Sequence, residues 1–322
     1  MKCEFVSAAV VAFLVGCTTA QTAVVGEYSI KKLGSLSRGE EVGKGLSGIT
    51  RVSDTEYWCV EDWGGKLHQY ELLLNDDGEP EKFELKRTVN AKKSGDAESC
   101  EYDPLTSRIW LADEYDRFVK SYNRETGEPV DDLVFPEIFK KHMVYNKFFE
   151  AMTMSKDGLT LWVMNEDTLK CDGAVAKQGK GGKVRIQEFK RRDGKSPWQT
   201  ARQFFYLTDP VEGKPYKNLM LSGVSSMQAL DDGSLLVLEH EMSMKNPIFP
   251  TFRCRIYRVI PDKSGQTLSK ELLWGGNTGF ANYEGLCFGP TLKNGRRTLV
   301  MVTDAGNLTE DLVTVLELVK TK

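Results

Sequence analysis

The chain has 322 residues, 28% of them charged and 40% hydrophobic, and a net charge of −3 at neutral pH. Its length allows one large domain or two medium ones, and the acid excess excludes a generic nucleic-acid binder, which is normally basic. No apolar run reaches the roughly 20 residues that a helix needs to cross a bilayer.

The first segment, MKCEFVSAAVVAFLVGCTTAQ, has one Lys, an apolar run from Phe5 to Gly16, and then small and polar residues. That is the pattern of a secretory signal. LVGC at 14–17 is similar to a bacterial lipobox, in which residues 1–16 are removed and Cys17 is acylated. Ordinary cleavage after Ala20 is the alternative. Either route exports the protein, so it is expected in the bacterial cell envelope on a lipid anchor, or free in the periplasm or medium. A single acyl signal implies a soluble domain whose only membrane contact is that anchor. Residues 17–26 then form a linker, and 27–322 form the folded domain. Five further cysteines remain, Cys59, Cys100, Cys171, Cys254 and Cys287, with no CxxC spacing. Cys59, Cys100 and Cys287 lie in apolar runs, where a thiol behaves as a small buried hydrophobe.

Beyond residue 26 the chain consists of short strand-like runs split by turn signals such as NDDG, SKDG, DDGS and KNGR. Such punctuation predicts an all-β sandwich, barrel or propeller, and internal repeats decide among them. Five segments share one layout of run, turn and a second run ending in an acid: 46–62, 97–114, 149–167, 224–241 and 283–306. Third strands are predicted at 66–73, 118–123, 183–190, 254–260 and 312–319. Fourth strands are predicted at 82–89, 201–207 and 270–274. Four antiparallel strands per unit make a β-propeller. Five blades are read directly, with room for a degenerate sixth. The fifth unit lacks its own last strand, and EYSIKKLGSL at 27–36 is predicted to supply it and close the ring. Trp58, Trp110 and Trp162 recur at one repeat position and are expected to pack between blades. The basic stretch FKRRDGK at 189–195 reads as a solvated loop.

Aligning the units puts Ser47, Glu98, Glu150, Ser225 and Glu284 at the start of each first run. A second acidic position ends the next run: Glu61 and Asp62, Asp113 and Glu114, Glu166, Glu239, and Asp304. The two positions are about 14–20 residues apart, which fits two ends of a hairpin meeting at one edge. Around a ring, both sets would gather at one mouth of the central channel. A cluster of carboxylates can hold Ca2+ through six to eight oxygens, or supply a general acid or base. The structural alternative is that each Glu accepts backbone N–H groups of the next blade and staples the ring.

These stretches, YEGL…GRRTLVMVTDAGN, FEAMTMSKDGLTLWVMNED and DAESCEYDPLTSRIWLADE, resemble the phytase-like family described as "esterase-like activity of phytase" over roughly residues 40–320. The resemblance implies a propeller with catalytic acids at Glu98, Glu150 and Glu284. It implies metal-holding partners at Glu61, Glu114, Glu166, Glu239 and Asp304, with Ca2+ as the ion. It implies a metal-assisted hydrolase of a small phosphate or ester substrate. The chain is expected to act as a monomer. Ser47 and Ser225 depart from the acidic pattern. Alkaline β-propeller phytases carry a denser calcium-binding aspartate motif than DAESCEYDP, which argues against phytate itself. The rival expectation is a non-catalytic propeller displayed on the envelope to bind a sugar, a peptide or a protein.

Other chemistries fit less well. GVSSM at 223–227 lacks the second Gly of a nucleophile elbow, and QGKGGK at 178–183 lacks phosphate-loop spacing. HEMSM at 240–244 is not a zinc-protease motif. Of the three histidines, His68, His142 and His240, only His240 stands beside the repeated acids.

Overall fold

Each predicted hairpin forms where Gly, Asp and Asn let the chain reverse between apolar runs, as at Gly78, Gly158, Gly233 and Gly295, all with positive φ,. The computed structural model describes residues 27–37, 45–144, 147–246, 248–261, 268–304 and 312–321. The predicted signal segment and Cys17 lie outside these residues.

The chain enters through β1 (Tyr28–Ser37) and then builds four four-stranded blades in sequence. Blade 1 is β2 (Leu46–Arg51), β3 (Glu56–Glu61), β4 (Lys66–Leu74) and β5 (Pro80–Asn90). Blade 2 is β6 (Ala97–Asp103), β7 (Arg108–Asp113), β8 (Phe118–Asn123) and a short β9 (Pro129–Asp132). Helix α1 (Glu137–His142) lies on the way to blade 3, which is β10 (Phe149–Met154), β11 (Thr160–Asn165), β12 (Lys183–Lys190) and β13 (Gln199–Leu207). Blade 4 is β14 (Met220–Ala229), β15 (Leu235–Met244), β16 (Pro250–Pro261) and β17 (Leu268–Gly279). Blade 5 holds β18 (Tyr283–Thr291), β19 (Arg297–Thr303) and β20 (Leu312–Lys320), and β1 pairs antiparallel with β20 to complete it. The protein is therefore a five-bladed β-propeller closed by its N-terminal strand, with five sheets among the described residues.

The core is divided among the five junctions between blades. Trp58 packs with Cys100, Ile109 and Tyr122 between blades 1 and 2. Trp110 packs with Phe149 and Phe189 between blades 2 and 3, and Trp162 with Val224 and Tyr257 between blades 3 and 4. Leu236 fills the next junction and Val300 the last. Large side chains recur there because a blade buries both of its faces, as a sheet sandwiched between neighbours must.

Hydrogen bonds across the inner strands fix the ring at the end where those strands finish. Thr50 Oγ1 accepts from Tyr102 N, Glu101 Oε1 from Met154 N, Thr153 Oγ1 from Ala229 N, and Gln228 Oε1 from Phe288 N, each at 2.9 Å. Stapling thus exists, but three residues downstream of the strand-start glutamates predicted to provide it. The fifth equivalent position is Cys287. At that junction Arg51 Nη1 reaches across to Gly289 O at 2.9 Å instead. The FKRRDGK stretch is also only partly solvated. Arg191 is buried and holds both oxygens of Asp103, at 2.7 and 2.6 Å, across blades 2 and 3. A surface position would have left Asp103 as an unpaired buried charge, which is far more costly than a lost exposed pair.

Thr153 is fully buried, so Thr153→Val leaves the Ala229 N–H without an acceptor at nearly constant volume. Urea unfolding is expected to show a loss of about 1–3 kcal/mol. A change under about 0.5 kcal/mol, the size of a neutral surface substitution, would mean that the staples contribute little.

Candidate metal centre

Every inner strand carries a β-bulge at the same place. The register slips between Leu46 and Gly48, Ala97 and Ser99, Phe149 and Ala151, Val224 and Ser226, and Tyr283 and Gly285. The residues left over are Ser47, Glu98, Glu150, Ser225 and Glu284. A bulge removes one residue from the ladder and re-aims its side chain. Here Glu98, Glu150 and Glu284 come to line a cavity of about 170 Å³ at the channel mouth. The next residue is small in every blade because the inner strands nearly touch. A Cβ on Gly48 would lie 2.9 Å from Cys100 N, and one on Gly285 would lie 3.1 Å from Ile49 N.

Each second strand sets one residue just past the position opposite the bulge, and four of the five reach the cavity. Backbone bonds hold this set in place: Asp62 N to Gly45 O, Glu114 N to Asp96 O, Glu166 N to Phe148 O, and Asp304 N to Asn282 O, at 2.7–2.9 Å. Asp62, Glu114, Glu166 and His240 line the cavity. Two predicted partners are misplaced by a single residue. Glu61 faces away and binds Lys66 Nζ and His68 Nε2, each at 3.0 Å. Glu239 accepts from Tyr206 Oη, from Asp209 N at 3.0 Å and from Lys270 Nζ at 3.0 Å. Strand side chains alternate between faces, so an error of one residue exchanges the sides completely. Asp304 keeps the equivalent backbone position, but its carboxylate packs against Gly45, where a Cβ would stand 2.9 Å from Oδ1, and does not line the cavity.

Asp96, Lys147 and Trp63 join the site without having been predicted. Asp96 stands two residues before Glu98, a spacing that puts both on one side of an extended chain. Lys147 comes from the non-repeating connection after α1 and leaves no trace in the repeat. His240 bridges two blades, with Nε2 3.3 Å from Glu166 Oε1 and Nδ1 3.6 Å from Glu284 Oε1. Lys147 also binds Glu166. Gly223 permits this packing, since a Cβ there would come within 2.5 Å of Glu166 Cγ.

Both cations therefore cluster on the blade 3–4 side. Burial pushes the Glu166 carboxyl up, but Lys147 and His240 outweigh it and hold it below its usual range. Burial alone would lower His240; its hydrogen bonds to Glu166 and Glu284 raise it to about 9. On the opposite side the compensation falls short: Lys147 lowers Glu114 and Glu150 as well, but does not reverse the effect of their burial. Burial, followed by the charges of Asp62 and Glu284, raises Glu98 well above an ordinary carboxyl. Burial, then Glu166 and Glu98, does the same to Glu150. Asp96 is pushed up to about 7 by burial and by the neighbouring Asp62, and apart from that carboxyl no donor among the described residues reaches its buried Oδ1. Within this group, oxygens of Asp62, Asp96 and Glu98 lie within 4.8 Å of one another, as do those of Glu98, Glu114 and Glu150. Carboxylate-only sets of this kind suit a hard cation such as Ca2+.

The family model described as "Phytase-like: Esterase-like activity of phytase" matches residues 42–305. The chain belongs to this phytase-like family. The matched span runs through the inner strands of all five blades and so contains every cavity-lining acid. No curated protein matches the chain by sequence. Among solved structures, the periplasmic gluconolactonase of Pseudomonas aeruginosa aligns at 11% identity and a TM-score of 0.41, covering 89% of this chain and 99% of that one. Hydrazine synthase of Kuenenia stuttgartiensis aligns at 12% identity and a TM-score of 0.40, covering 89% and 67%. Neither likeness bears on the chemistry of this phytase-like site.

A carboxyl with a folded pKa above its unfolded value stabilises the fold fully below about pH 4. That stabilisation is lost as pH rises through the folded value. Asp96, Glu98 and Glu150 all have this sign. In chelator, the phytase-like propeller is therefore expected to lose stability between about pH 4 and the Asp96 value of about 7,. Glu98→Gln should flatten that decline, and it should melt no earlier than the parent protein at pH 7. Thermal melts across this range test it; an equally steep decline in the variant would count against mutual repulsion among the acids.

Proposed function

We propose that this phytase-like propeller is exported, and that its carboxylate mouth binds a divalent cation, Ca2+ by donor chemistry, and there hydrolyses a small phosphate or carboxylic ester. The observation carrying this reading is the convergence of Asp62, Asp96, Glu98, Glu114 and Glu150, whose charge Lys147 offsets only in part. Unneutralised carboxylates at such a distance stay protonated or take up a metal. These five residues would hold the ion, which when bound polarises the ester oxygen and orients water.

The chain's own groups account for the remaining chemistry. His240 is pushed up to about 9 and is cationic at neutral pH; with its two N–H groups turned to Glu166 and Glu284, it serves as fixed positive charge beside an oxygen that gains negative charge. Glu284 is oriented by Asn282 Nδ2 at 2.6 Å and is placed to accept a proton from attacking water. Lys147 fixes Glu166, and Glu166 in turn sets the His240 ring. The cavity, at about 170 Å³, is below the usual size of a whole-ligand site. Only the reacting group of a substrate enters, and the rest of the molecule lies on the rim.

The rim supports a second reading, in which the same face is a binding surface. Among the described residues the exposed aromatic side chains are Trp63, Tyr115, Tyr216, Phe249 and Phe280. Tyr216 stands in a short 3-10 turn and the other four in loops, all at the acidic end. Exposed planar side chains suit recognition of a sugar ring, a peptide or a protein.

Calorimetry with Ca2+ at pH 6 and pH 8 separates the two. The hydrolase reading expects saturable binding that is tighter at pH 8, because the cation displaces protons held near pH 7 by Asp96,. Glu98→Gln and Glu150→Gln should each weaken it by about tenfold or more. Release of nitrophenol from its phosphate or acetate ester should require the ion and fall in His240→Gln. Absence of metal binding, with intact folding, would leave the binding-surface reading.

A further inference from the structure

The channel has a second mouth, at the end where the inner strands finish, and its charge is opposite. A cavity of about 550 Å³ opens there, more than three times the volume of the acidic one. Thr50, Glu101 and Gln228 lie in its wall, and each is already committed to a backbone N–H of the next blade. That wall is therefore rigid and preformed, as ligand sites usually are.

The cations at this mouth are Arg51, Lys156 and Arg297. Arg297 lies over the Phe288 ring at 4.5 Å and meets Asp231 at 3.2 Å. Arg51 meets Asp54 at 3.2 Å as well as Gly289 O. Both carboxylate partners are well exposed, Asp54 at 81% and Asp231 at 54%. Ion pairs of that kind contribute little and exchange readily with another anion. Lys156 is exposed with no partner among the described residues. The wall holds two acids, Asp231, the exposed partner of Arg297, and Glu101, and Glu101 does not add to the negative charge. Burial, and secondarily the charge of Asp103, outweighs its hydrogen bonds from Met154 N and Thr50 and pushes it up to about 8. At neutral pH it presents mainly a neutral carboxyl. Tyr102 and Phe288 complete the wall with aromatic surface.

We propose that this mouth is a second ligand site, separate from the carboxylate cluster, for a small organic anion. Its carboxylate or phosphate group sits among Arg297, Lys156 and Arg51, and its body lies against Tyr102 and Phe288. The volume falls in the range of about 300–1,000 Å³ typical of small-molecule sites, and a guanidinium stacked on a ring is pre-organised for an oxyanion.

Phenyl phosphate and benzoate are suitable probes, titrated by calorimetry and ligand-observed NMR with chelator present so that the acidic mouth takes no part. Saturable binding at or below about 1 mM is expected for at least one of them. Lys156→Gln and Arg297→Gln should each weaken it by about tenfold or more, and Lys245→Gln, an exposed lysine at the other end of the ring, should leave it unchanged. Lys156 makes no ion pair, so its variant keeps the fold even if that of Arg297 does not. The proposal is overturned if neither probe saturates, if Lys156→Gln binds as the parent does, or if Lys245→Gln loses as much as Lys156→Gln.

Discussion

Five inner strands around one axis leave room at that axis for one side chain from each, and the bulge chooses which. Gly48 and Gly285 show how little space remains, since a single added carbon on either would strike the neighbouring strand. The pleat alone would send alternate side chains into the junctions between blades, where the apolar core lies. Skipping one residue in the ladder releases Glu98, Glu150 and Glu284 from that alternation. The mouth, its carboxylates and the spacing of the second set on Asp62, Glu114, Glu166 and His240 all depend on this device. Bulges of this type bend a strand and turn a side chain at modest cost, so a chemically demanding centre can stand on an otherwise regular scaffold.

The charge at the mouth is deliberately uneven. Lys147 and His240 serve one side, while the Glu98 side is left to protons or to a cation from solution. Elsewhere in the same protein two buried acids are answered in full: Asp103 by Arg191, and Glu239 by a tyrosine, a lysine and a backbone N–H. A fold able to pair those acids has left Glu98 and Glu150 without an ion pair among the described residues, at a solvent-reachable mouth. Function commonly stands where local rules of satisfaction are broken.

Much of this was readable beforehand. The hairpin punctuation gave the blades, and the missing outer strand of the fifth unit pointed to β1. The strand-start acids were recognisable because they recur at one repeat position. What could not be read was orientation. In Glu61-Asp62 and in Glu239-His240 a charged residue occupies both phases of the strand, and composition does not reveal where a bulge resets the phase. β9 escaped notice because it has only four residues and starts at a proline. Lys147 escaped because it comes from a connection that no other blade shares. Arg191, within a basic run, looks like surface until the distant Asp103 is brought beside it.

The Cys287 position has a consequence for the ring as a whole. Four junctions are sealed by an oxygen that a neighbouring backbone N–H occupies, and the fifth is bridged by a partly exposed guanidinium. The end-to-end closure of the ring lies elsewhere, within the sheet of blade 5, where β1 meets β20 although the two strands are almost the whole folded length apart in sequence. Bringing them together costs more loop-closure entropy than any other strand pairing in the protein. Blade 5 is thus a clasp made from both ends of the folded chain, and the ring is held at its outermost strand as a belt is held at its buckle.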